Sequence, residues 1–273
     1  MNIDLNKYIP NKLVSAPGEI TLEDKLSPFM ESAKQWFEKW FCNLSLIEDD
    51  ESLLDTAYKI IVREAYCNAV PQFDLVLTAN GFATVDSKMV VPASKARTDR
   101  LLEGLIKERD KNIDILLFHL RKDVDEWIMT PQAAFFRQTL FCSPELADTV
   151  RVPQSISETK SKWERYLKMI PLIKNLEDDI ADDWFSQELM EALRKENQSY
   201  KLTGARFNVF CKIRDAMVWY FEYDDLRTKS LQAIVNIIRY DEENFPEWHN
   251  SETAKHFSPP KFENKKKSTG YFF

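Results

Sequence analysis

PQFDLVLTANGFATVDSKMVVP, residues 71–92, is the stretch that interrupts an otherwise helical pattern. Phe73, Leu75 and Leu77 alternate with polar or smaller residues. That spacing places alternate side chains on one face of a strand. Asn80-Gly81 follows, a pair whose backbone accepts the positive φ of a tight hairpin turn. Phe82, Val85 and Met89 to Val91 resume the apolar pattern. The reading is two short strands around Asn80-Gly81, inserted at 73–91 between a helix ending near Ala69 and a long helix beginning near Ser94.

On either side the period is helical. Upstream, Ser27-Pro28 predicts a helix start, because serine caps and proline suits the first helical position. Leu26, Phe29, Ala33, Phe37, Trp40 and Phe41 then share one face, which Trp36 widens. Leu53, Ala57, Ile60, Ile61 and Ala65 mark a second helix that ends before Pro71. Downstream, Leu101 to Ile128 keep the period up to Pro131. Unbroken, that helix of about 35 residues is a rod of roughly 50 Å. Arg97, Arg100, Lys107, Arg109 and Lys111 are expected to form a solvated basic face on its first half.

Further on, Ser155 to Glu158 matches a capping box ahead of a helix carrying Trp163, Tyr166 and Ile170. Pro171 either kinks that helix or restarts it. Further apolar stripes follow, the last from Leu226 to Ile238. The predicted fold is mainly α: a helical bundle of one or two related units, with the small hairpin as an insertion. The expected divisions are an extended arm over 1–21, a helical unit over 22–130, a second over 131–243 and an irregular tail over 244–273. Trp40-Phe41 and Trp184-Phe185 close comparable helices, and Arg63-Glu64-Ala65 on one helix resembles Arg214-Asp215-Ala216 on its counterpart, so the two halves read either as a repeat or as chance helical periodicity.

Composition narrows the function. The chain has 273 residues and a net charge of −7, which argues against a general nucleic-acid binder. Five dispersed glycines supply neither GxGxxG nor a P-loop, since both need backbone amides brought close to an anion. Four scattered cysteines without a CxxC, and no secretory leader at the start, read as reduced, mostly buried thiols in a cytoplasmic protein. No apolar run is long enough to cross a membrane. No cofactor is expected. His119, His249 and His256 lack metal-ligand spacing.

One acidic cluster carries chemistry. In Asp178-Asp179-Ile-Ala-Asp182-Asp183, a regular α-helix aligns Asp178 with Asp182 and Asp179 with Asp183. Such pairs suit magnesium. The spacing resembles the DDxxD motif of all-helical terpenoid synthases, so Asp178, Asp179 and Asp182 define an alternative function, a magnesium-dependent enzyme acting on a diphosphate. The facing helix offers only Asn208 and Asp215, at the wrong spacing for a second metal motif. A solvated acidic face is the simpler reading.

The stretch FDLVLTANGFATVDSKMVVPASKARTDRLLEGL, residues 73–105, resembles an uncharacterised family encoded among structural genes of phages and prophages of gut bacteria. The residues that match are Asp74 to Thr78, Asn80 to Phe82, Val85 and Pro92-Ala93-Ser94; Ala83-Thr84 and Asp86 depart from the family's apolar second strand. The resemblance implies a non-enzymatic virion protein, such as a head–tail connector subunit. It would assemble with itself and with other virion proteins, made in the cytoplasm and carried in the virion. No catalytic residues carry over. Contacts are expected from the hairpin tip, Asn80, Gly81 and Phe82, and from Tyr271, Phe272 and Phe273 at the end of the chain. Those terminal aromatics either fold back on the chain's own core or dock on another subunit. A third reading is a regulatory module whose basic helix face meets an acidic partner.

Overall fold

The computed structural model describes residues 5–8, 22–72, 75–78, 81–84, 94–150, 156, 158–218 and 224–257. The fold is mainly helical. Its elements are α1 (Leu5–Tyr8), α2 (Leu22–Trp40), α3 (Glu51–Ala69), β1 (Leu75–Thr78), β2 (Gly81–Thr84), α4 (Lys95–Asp123), α5 (Pro131–Phe136) and α6 (Pro144–Ala147). After these come α7 (Lys162–Ile180), α8 (Gln187–Gln198), α9 (Gly204–Val218), α10 (Asp224–Arg239), α11 (Pro246–His249) and α12 (Glu252–His256). Two compact units result. The first holds Met1–Lys174 and Arg194–Lys201; the second holds Asn175–Leu193 and Leu202–Phe273. This division does not fall at the expected boundary between 130 and 131.

In the first unit, α3 packs against both α2 and α4. Asp50 starts α3 by accepting from the amides of Ser52 and Leu53, at 2.9 and 3.0 Å. Those donors have no helical acceptor, so a carboxylate at the cap removes an unmet polar group. The apolar stripes read from the sequence are buried: Phe37 on α2 and Phe41 just after it, Ile60 and Ile61 on α3, and Leu116, Leu117 and Leu120 on α4 are all 0% exposed. The aromatics cluster in the same unit. The Phe41 and Trp163 rings lie 5.0 Å apart, and Phe136 stacks on Tyr166 at 6.1 Å. The polar ends of these rings are satisfied: Trp127 Nε1 donates to the Phe41 carbonyl at 2.7 Å, and the Tyr166 hydroxyl donates to the Phe141 carbonyl at 3.1 Å.

Several expectations shift. The helix does not start at Pro28, which lies inside α2. Proline at 28 has no N–H for the Asp24 carbonyl, but both residues are exposed, so solvent can meet that acceptor. The long helix stops at Asp123, and Asp125–Met129 is a 3-10 turn. Val124 has left helical geometry, with φ −123 and ψ 87. Of the two readings for Pro171, a restart is removed, since the residue lies inside α7. In the expected arm, the described residues Leu5–Tyr8 form a helical turn, and Tyr8 is buried with its hydroxyl 3.0 Å from Asp55 Oδ1. β1 and β2 pair antiparallel, from Leu75 opposite Thr84 to Thr78 opposite Gly81. Asn80 and residues 85–93, which the sequence reading assigned to the turn and second strand, lie outside the described residues, as does Ser155.

In the second unit, α9 packs on α10. The stretch after Asn244 is not irregular as far as His256. Phe245 and Trp248 are buried, and α11 and α12 follow each other closely. Trp248 Nε1 donates to the Trp184 carbonyl at 2.9 Å, and Arg206 grips the Glu247 carboxylate with two bonds of 3.0 and 3.1 Å. Short segments lacking helical period are thus held by aromatic burial and a bidentate ion pair.

Candidate functional site

Arg109 lies on α4 four residues after Leu105 and four before Ile113, on the stripe that faces the core. It is 5% exposed. The expected basic face therefore loses this residue. Burying a guanidinium demands partners, because its charge leaves water. Arg109 Nη1 donates to Glu64 Oε2 at 2.5 Å. Its Nε and Nη2 both donate to Asp110 Oδ1, at 3.0 and 2.9 Å, and Nη2 also donates to Ser161 Oγ at 2.8 Å. Burial pulls the Arg109 pKa down, but Asp110 and Glu64 outweigh it and the net shift is upward.

The network reaches into α7. Ser161 Oγ donates to Asp110 Oδ2 at 3.0 Å and accepts the Glu164 amide at 3.2 Å. Asp110 Oδ2 also accepts the Trp163 amide at 3.3 Å. A carboxylate at the first turn of a helix meets both free amides and the positive end of the dipole. α3, α4 and the start of α7 are thereby tied by one buried cluster, with Asn68 Nδ2 donating to Glu64 Oε1 at 3.2 Å. The polar atoms of the cluster are spent on one another, which fastens the three helices.

Beside it opens a cleft of about 1000 Å³ along α4, which also reaches Glu145 and Arg165. Asp114 lines it. Burial pushes the Asp114 carboxyl up to about 6, against the pull of the Glu145 amide, which donates to its Oδ1 at 3.0 Å. The cleft carries Lys107 and Lys111, together with Ile115 and Phe118, which are 39% and 40% exposed. Charged and apolar side chains thus share one wall of the cleft.

The acidic cluster lies in the second unit. Ile180 is 2% exposed, while Asp179, Asp182 and Asp183 are exposed and Asp178 is half-buried. The α-helical register ends at Ile180, and Ala181–Phe185 is a π turn in which the Ser186 amide bonds the Ala181 carbonyl at 2.7 Å. The wider winding changes the alignment of Asp178 with Asp182 that a regular helix would give. Asp182 Oδ1 accepts from Gln187 Nε2 at 2.8 Å. Among the described residues, no three His, Cys, Asp or Glu side chains converge to hold a metal.

The other candidates fall variously. Gly81 and Phe82 sit in β2, while Asn80, Tyr271, Phe272 and Phe273 lie outside the described residues. His119 Nδ1 is 2.8 Å from Asp123 Oδ2, and His249 Nε2 is 3.0 Å from the Ile238 carbonyl. All four cysteines are free thiols; Cys42 and Cys142 are buried, and burial pushes Cys42 up to about 12. Among the described residues, no helix is long and apolar enough to cross a membrane. Sequence reading missed Glu64, Asp110, Asp114 and Ser161. For Arg109 the signal was available: a charge at the i+4 position of an apolar stripe.

Residues 22–137 match the Family of unknown function (DUF6712), so the chain is similar to that family from α2 through α5. The match includes Glu64, Arg109 and Asp110 and the strand-bearing stretch, and stops short of Ser161. No curated protein and no solved structure matches the chain.

Proposed function

We propose that this chain is a non-enzymatic assembly protein, a phage- or prophage-derived virion component of the head–tail connector kind that associates with copies of itself and with other virion proteins. The observation that carries the reading is the β1–β2 ladder, in which each strand is paired on one side by the other. A two-stranded ladder is marginal in water and gains from a third strand. An incoming strand from another chain fixes register through main-chain hydrogen bonds, with apolar side chains adding affinity. As an inserted hairpin, this ladder offers such an edge, and the resemblance of residues 73–105 to phage structural proteins supports the same reading. The fastened cluster of Glu64, Arg109, Asp110 and Ser161 supports it too, since a subunit that bears load profits from helices that do not slide. The test is the solution mass of two variants, one with Phe82→Lys and one lacking residues 268–273. Loss or shrinkage of the assembly in either is expected; an unchanged assembly in both would remove the hairpin tip and the terminal aromatics from the contact.

A further inference from the structure

Phe118 and Ile115 stand out from α4, and Tyr200, 48% exposed, meets Phe118 edge-on at 5.5 Å between ring centroids. The Lys122 ammonium lies 5.6 Å from the Phe118 ring. Positions 107, 111, 115, 118 and 122 follow one another at three- and four-residue steps, so they share one helix stripe. Lys107 and Lys111 are exposed and make no ion pair among the described residues. The stripe is thus an apolar centre with lysines at both ends, in the first unit.

The second unit carries the complementary chemistry. Tyr240 is 84% exposed, and Glu242 and Glu243 beside it are exposed. Their turn is tied by hydrogen bonds on both sides. The Asp241 amide bonds the Ile238 carbonyl at 3.1 Å. The Asp241 carboxylate accepts from the Asn244 amide at 3.3 Å and from its Nδ2 at 2.9 Å. The Asn244 carbonyl accepts from Arg206 Nη1 at 2.7 Å. A segment already fixed in shape loses little entropy on binding.

We propose that the turn Tyr240–Glu243 of one copy docks on the Lys107–Lys122 stripe of a second copy. The inference rests on the self-assembly reading above and names the two surfaces that would carry it. Tyr240 packs against Phe118 and Ile115, while Glu242 and Glu243 face the lysines. With a net charge of −7 the copies repel at long range, so a lysine stripe is where one copy can accept an acidic turn of the next. The two surfaces differ, so the contact is head-to-tail and repeats from copy to copy, closing as a ring or running on as a filament.

The test compares the full chain with three variants by light scattering over a range of concentrations. The first is Lys107→Glu with Lys111→Glu, the second is Glu242→Lys with Glu243→Lys, and the third joins all four changes. All four positions are exposed, and unchanged thermal melting shows that the variants fold. Each double variant is expected to weaken self-association by about tenfold or more, and the joined variant to restore it. Tyr240→Ala, which alters no charge, is expected to weaken it as well. Equal assembly of wild type and every variant would overturn this contact and leave the self-assembly reading standing. A wild type that stays monomeric throughout would overturn both.

Discussion

Arg109 is the buried cation that two buried carboxylates of the first unit share. It neutralises Asp110 and Glu64, and all three are at most 9% exposed. Arg109→Ala leaves two carboxylates buried without a cation, a change that costs about 3 to 5 kcal/mol. Denaturant unfolding of the variant checks this, and a loss below 1 kcal/mol would mean that the carboxylates find water instead. Asp114 acts in the opposite sense. Its carboxyl is raised from 3.8 to about 6 by burial, so the folded chain holds that proton after the unfolded chain has released it. Its contribution therefore makes stability fall as pH rises from about 4 to about 6. Asp114→Asn keeps an oxygen for the Glu145 amide and removes the buried charge. It is expected to raise stability at pH 7 by on the order of 2 kcal/mol and to flatten the profile between those pH values. A melting profile with unchanged slope in that window would show that the carboxylate is better solvated than its setting implies.

Ser161 is the point at which one element is attached to the others. Its hydroxyl caps α7 through the Glu164 amide and closes the cluster on Asp110. Ser161→Ala is expected to cost about 1 to 2 kcal/mol, from the cap alone. Protection of the first amides of α7 in hydrogen exchange should drop with it, while that of α3 should hold. The helices were legible because apolar residues recur at helical spacing; Leu116, Leu117 and Leu120 lie where the period puts them. Their ends were less so. α2 starts upstream of Pro28, whose missing hydrogen bond falls at the exposed Asp24, and the cap of α7 is Ser161 because a carboxylate distant in sequence supports it. The buried network was legible only at Arg109, through its place in the stripe. Glu64 and Arg109 are 45 positions apart in the chain, and no local pattern pairs them. The π turn over Ala181–Phe185 likewise left no period to read, and it altered the alignment on which the metal reading depended.

At the scale of the whole molecule, the division into two units draws its boundary through α7 and α8 instead of between sequential halves. Sequential halves follow from periodicity, whereas compact units follow from which buried faces meet, and that is a matter of long-range contact. Residues 244–257 show the same limit, since Phe245 and Trp248 are buried although their neighbourhood has no helical stripe. The central claim is that this chain works by assembling with copies of itself. Sedimentation velocity of the full chain across a range of concentrations tests it most directly. The account predicts a discrete species at a multiple of the 32.1 kDa chain mass, growing in as concentration rises. A single 32.1 kDa species at every concentration would contradict it.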